Sequence, residues 1–211
     1  MYYHNNLQEP LHHHELPYAG RSDYKENYQF DGYGSNSPLL DELRQGRNIH
    51  VGAIDFDTAR NVISLIHYLA HDNPAAKITL NIMSPGGSVH AGLAIIDAAR
   101  ACSCPIETVG YGLCASMGAM ILACAAPKGS RLLLPNTEVM IHQVLSGVQG
   151  QQTDIQIEAN HLASMRNRLD QLLAEACEKT PEEITTLTER NSWLSAEEAI
   201  QAGIADTIIG H

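Results

Sequence analysis

From residue 48 onward, short apolar runs alternate with helical stripes, and that alternation leaves little choice of fold class. Strand-like runs occupy 48–53, 77–83, 106–110, 131–134 and 138–141. Helices are predicted over 57–71, 89–102, 116–126, 153–179, 181–188 and 196–202, with a short one at 38–43. In 57–71 the apolar residues Val62, Ile63, Ile66 and Leu69 recur at helical spacing. Strands and helices alternating at these lengths predict an α/β fold with parallel strands.

The first 34 residues break this pattern, being rich in Tyr, His, Asn and Gly with little periodic apolar content. They are expected to form an N-terminal arm, flexible or processed, ahead of a single domain over 35–211. A chain of 211 residues is long enough for one sizeable core. Within the arm, His12, His13 and His14 read as a solvated polar tract. A net charge of −11 argues against nucleic acid or an anionic membrane as the main partner. No apolar run approaches the roughly 20 residues of a membrane span. The N-terminal residues lack the basic-then-apolar order of a signal peptide. Cys102, Cys104, Cys114, Cys124 and Cys177 are odd in number and irregularly spaced, so they read as free thiols in a reducing cytoplasm. Cys102 and Cys104 have no second pair or histidine beside them, so no zinc site or other metal is expected.

The chemistry points to the segment Gly112-Leu113-Cys114-Ala115-Ser116-Met117-Gly118-Ala119-Met120. It opens an apolar helix with a serine among small neighbours, which let a substrate carbonyl reach Oγ. The unpaired N–H groups at a helix start can hold a developing oxyanion. His142 ends the apolar run Met140-Ile141, and Ser84-Pro85-Gly86-Gly87 forms a sharp turn after a strand. The plain reading of Gly86-Gly87 is a turn that needs positive φ. The functional reading is a backbone N–H aimed into a site, with an edge for an extended peptide. With Ser116 and His142 the three pieces read as a serine hydrolase.

Six separated motifs then agree: Ser84-Pro85-Gly86-Gly87, Ala115 to Ala119, Leu134-Pro135-Asn136, Met140 to Gln143, Gly150 to Ile155, and Trp193 to Ala199 with Gly203 to Asp206. In this order, across residues 36–211, they resemble the ClpP-type (caseinolytic) serine peptidases. The resemblance implies a ClpP/crotonase-like spiral of repeated ββα units with a long handle helix. It implies rings stacked in pairs into a tetradecameric barrel, fed unfolded protein by an AAA+ unfoldase of the ClpX, ClpA or ClpC type. No cofactor is implied. By motif position, Ser116 is the nucleophile, His142 the general base, and the N–H groups of Gly87 and Met117 the oxyanion hole. The helix from Thr153 and the segment before it become the handle between rings.

Several positions depart from the family pattern. Where it has aspartate, this chain has Asn191, in Thr188-Glu189-Arg190-Asn191-Ser192. An amide carbonyl can accept the Nδ1–H bond but brings no charge to an imidazolium. In trypsin-like enzymes the same change costs about 10⁴ in kcat. Two readings follow: a serine endopeptidase with a Ser116-His142-Asn191 triad, or a weak paralogue that serves as a structural or regulatory subunit in mixed barrels. A crotonase-like enzyme acting on CoA thioesters is a third, which gives Ser116 no role. Glu189 is the nearest carboxylate in sequence, pointing away by alternation, while Asp154, Asp170 and Asp206 read as surface or oligomer-contact residues. Arg190 matches a ring–ring arginine of the family. The strand 78–83 has no aromatic residue where the family has tyrosines for unfoldase docking. His50, His67, His71 and His161 read as core-edge or surface residues, His90 as a surface residue near the cleft, and Met140 as lining a pocket for an apolar or small P1 side chain.

Overall fold

The computed structural model describes residues 42–147 and 149–210, so the expected arm over 1–34 and most of the predicted 38–43 helix lie outside the described residues. The described chain begins in a π-helical turn, Glu42–Gly46. Seven strands follow among the described residues: β1 (Asn48–Val51), β2 (Ile78–Ser84), β3 (Ile106–Ala115), β4 (Arg131–Leu133), β5 (Glu138–Ile141), β6 (Ser192–Leu194) and β7 (Thr207–Ile208). The helices are α1 (Phe56–Asp72), α2 (Val89–Ala101), α3 (Met117–Cys124), α4 (Gln152–Cys177), α5 (Pro181–Thr188) and α6 (Ala196–Gln201). The sheet runs β1-β2-β3-β4-β7 with every pairing parallel, while β5 pairs with β3 and with β6. The α/β class with parallel strands is therefore as expected.

Local chemistry accounts for the elements. Asp55 caps α1 by accepting the Thr58 N–H at 2.7 Å, and Ala59, Val62, Ile66 and Leu69 form its buried stripe. β2 is buried along nearly its whole length, as a strand covered on both faces must be. All eight residues of α3 are buried, which fits a helix apolar all round. Thr180 with Glu183 and Ser195 with Glu198 form capping boxes that start α5 and α6.

Three features differ from expectation. β3 runs ten residues, through Gly112 at φ +59°, beyond the predicted end at Gly110. Its first half is held by β4, with Thr108 opposite Arg131, and its last residues by β5, with Ala115 opposite Met140. Partners on both stretches outweigh the weak strand preference of Gly110 and Gly112. β6 and β7, of three and two residues, carry no periodicity of their own and exist because β5 and β4 offer edges. Asp206 is not a surface residue. Its carboxylate takes Arg131 Nη2 at 2.5 Å and Nε at 2.9 Å, and also the Gly129 and Arg131 N–H groups. Arg131, 1 % exposed, passes Nη1 to the Ala176 carbonyl at 2.8 Å, so the pair ties β4, β7 and α4 together. Burial pushes the Asp206 carboxyl up, but the Arg131 guanidinium prevails and holds it below the ordinary range.

Candidate active site

Ser116 occupies the single residue between β3 and α3 and has φ +55°, ψ −120°. A non-glycine residue there costs on the order of 1–3 kcal/mol. The surroundings hold it in place: its N–H donates to the Met140 carbonyl at 2.7 Å. The turn needs glycine on the facing strand end as well. A Cβ on Gly86 would lie 2.7 Å from Ser116 Cβ and 2.9 Å from the Ala115 carbonyl, and one on Gly118 would lie 2.9 Å from Ser84 Cβ. Although Ser116 stands where a helix cap belongs, its side chain makes no cap bond. Its Oγ lies 2.8 Å from His142 Nε2.

His142 follows β5 directly, and burial pushes its imidazole below the ordinary histidine pKa. A neutral ring at pH 7 can take the serine proton. Gly87, at φ +147°, is pinned against Ile54. Ile54 N–H donates to the Gly86 carbonyl at 2.9 Å and Ser88 N–H to the Ile54 carbonyl at 2.7 Å. A Cβ on Gly87 would meet the Ile54 oxygen at 2.0 Å, so no other residue fits. Among the described residues the N–H groups of Gly87 and of Met117, the first residue of α3, make no hydrogen bond. Both residues line one cleft with Ser116 and His142.

Asn191 is exposed and stands just before β6. Ile141 pairs with Ser192, and that antiparallel register, continued by one step, brings Asn191 level with His142. Among the described residues no hydrogen bond joins the two. Its neighbours are engaged through their backbones: Gln143 N–H donates to the Thr188 carbonyl at 2.7 Å, and Gln143 Nε2 to the Glu189 carbonyl at 2.9 Å. Glu189 and Arg190 are exposed.

The cleft holds a cavity of about 200 Å³. Met117, Met120, Leu169 and Leu173 make its apolar wall, and Arg166, Asp170 and Thr188 its polar one. Asp170 therefore does not lie on the surface. It is 7 % exposed, accepts the Thr185 hydroxyl at 2.9 Å and faces Arg166 Nε at 3.6 Å. Sequence reasoning missed it, though the spacing of Arg166, Leu169, Asp170 and Leu173 on one helix face was a signal. Met140 is not among the cavity's lining residues; its methionines are Met117 and Met120. Of the other histidines, His50, His67 and His71 are exposed. His90 and His161, on α2 and α4, are exposed and stack with ring centroids 6.4 Å apart. Among the described residues no helix is long and apolar enough to cross a membrane.

A mostly parallel α/β sheet carries this cleft, and the chain matches a family of hydrolases. The sequence model of the Clp protease family matches residues 34–211. The chain belongs to the Clp protease family and is a ClpP-type peptidase. The family generally works as oligomeric rings with AAA+ partners.

Proposed function

We propose that this chain is a serine endopeptidase subunit of a ring-shaped Clp protease, cutting unfolded proteins and short peptides through Ser116, His142 and Asn191. The carrying observation is the 2.8 Å contact between His142 Nε2 and a serine hydroxyl that is not spent on capping its helix. As Ser116 Oγ attacks the scissile carbonyl carbon, its proton passes to Nε2. The carbonyl oxygen, now negative, is met by the Gly87 and Met117 N–H groups. Collapse breaks the C–N bond, with the imidazolium proton going to the leaving amine, and water then cleaves the acyl-enzyme by the same route. The apolar wall of the cavity suits an apolar P1 side chain.

A second reading is a weak paralogue that works mainly as a structural or regulatory partner in mixed tetradecameric barrels. It is favoured by one observation: the uncharged Asn191 makes no hydrogen bond to His142 among the described residues. In either reading α4 is the handle between rings, supported by the exposed Ile155 and Ile157 near its start. An unfoldase of the ClpX, ClpA or ClpC type supplies substrate, and the five unpaired cysteines fit a reducing cytoplasm.

The test labels the purified protein with a fluorophosphonate and measures cleavage of a fluorogenic peptide. The endopeptidase reading expects both signals in the wild type and neither in Ser116→Ala. A silent wild type with a labelled Asn191→Asp variant would mean an intact but untuned site and point to the second reading.

A further inference from the structure

We propose that His142 is positioned through its neighbour Gln143, by a clamp built from Arg166 and Asp170. This rests on the reading of Ser116 and His142 as nucleophile and base. Gln143 is held at three points. Its N–H donates to the Thr188 carbonyl at 2.7 Å, its Nε2 to the Glu189 carbonyl at 2.9 Å, and its Oε1 accepts from Arg166 Nη1 at 3.2 Å. Arg166 is in turn held by Asp170, one turn further along α4, and Asp170 by Thr185 on α5. Three pieces of chain, α4, α5 and the turn after α5, thus converge on the residue beside the base. On its other side His142 continues from β5, which is fixed to β3 by parallel pairing.

The imidazole itself has one side-chain partner among the described residues, Ser116. In an ordinary triad the acid orients the ring through Nδ1. Here that orientation comes from the backbone on both sides of His142, and Gln143 supplies the half that β5 does not. The pairing of charges in the clamp matters too. Arg166 lines the same cavity as His142, and a lone guanidinium there would oppose the imidazolium that forms during acylation. Asp170 beside it cancels that opposition while leaving Nη1 free to hold Gln143. Gln143, Arg166 and Asp170 are positioning residues, since none is required to touch the reacting atoms.

The test compares Gln143→Ala, Arg166→Ala and Arg166→Lys in the wild-type background, and Gln143→Ala again in an Asn191→Asp background. Gln143→Ala is expected to lower kcat and the rate of Ser116 labelling by about tenfold or more, with KM within about twofold. Arg166→Lys, which retains a donor for Gln143 Oε1, is expected to recover most of the loss seen in Arg166→Ala. With aspartate at 191 taking over ring orientation, Gln143→Ala is expected to cost less than about threefold. Unchanged kcat in Gln143→Ala, or the same fold loss in both backgrounds, would overturn the proposal. A wild type that fluorophosphonate does not label would count against the serine peptidase reading, and crystal structures would still decide the clamp. An imidazole swung away from Ser116 in Gln143→Ala supports it; a contact kept at 2.8 Å overturns it.

Discussion

Ser116 and His142 meet at 2.8 Å because the residues just before them, Ala115 and Met140–Ile141, belong to paired strands. Ala115 is level with Met140, and the chain leaves β3 one residue later and β5 two residues later. The contact is thus a consequence of strand register, and a slip of β5 by one residue against β3 would turn His142 away from Ser116.

Gly86→Ala should damage the site more than the fold. The added methyl would meet Ser116 Cβ at 2.7 Å, at a φ of +95° that disfavours any side chain. Fluorophosphonate labelling is expected to fall by about 100-fold or more. The loss in stability should be about 1–3 kcal/mol, read by urea unfolding.

The acid limb of activity should lie below pH 6.5, because burial lowers the His142 pKa and the base must be neutral. As pH falls through that lowered value the ring gains a proton and turnover drops. Asn191→Asp brings an anion level with the ring, favours the imidazolium and moves the limb to higher pH. A pH profile of kcat/KM for both proteins checks the direction; an unmoved limb would mean position 191 does not reach the imidazole.

Arg131→Ala should cost about 3–5 kcal/mol, since it strands Asp206 in a nearly buried site. The pair also sets an acid sensitivity. Asp206 titrates below the ordinary aspartate range in the fold, so its contribution is complete above that range and is lost as pH falls through the lowered value. Thermal midpoints measured between neutral and strongly acidic pH should show a steeper decline in the wild type than in a double variant lacking both charges.

Leu169→Phe should narrow the cavity at its apolar wall. Peptides with leucine or methionine at P1 are expected to lose about tenfold in kcat/KM relative to alanine at P1. Equal losses for all three would separate the cavity from P1 recognition.

Helices α1 and α2 were legible because caps and apolar spacing agree: Asp55 and Ser88 start them and the buried stripes follow. The second half of β3 was not. Residues 111–115 lie beyond the strand expected to end at Gly110, and β3 regains a partner only at Leu113, opposite Glu138 of β5. Of the cleft, Ser116, His142, Gly87 and Met117 announce themselves by short-range context, small neighbours and turn glycines. Asp170 does not, because its role comes from Thr185, Thr188 and Arg166, two of them on another helix. The spacing of Leu169, Asp170 and Leu173 marks the covered face of α4, but nothing local names the partners that give the carboxylate its role. Asp206 escaped for the same reason, its partner Arg131 being far away in sequence.

One rigid rod bears two loads. Ile157 is exposed near the start of α4, and Arg166 grips Gln143 nine residues on, about 14 Å along the axis. An α-helix scarcely stretches, so a push at the isoleucine end is delivered to the glutamine almost in full. Under the proposed handle role of α4, whatever seats that end of the helix against a neighbour would also bear on the segment that carries His142, so assembly and catalysis would share a single spindle.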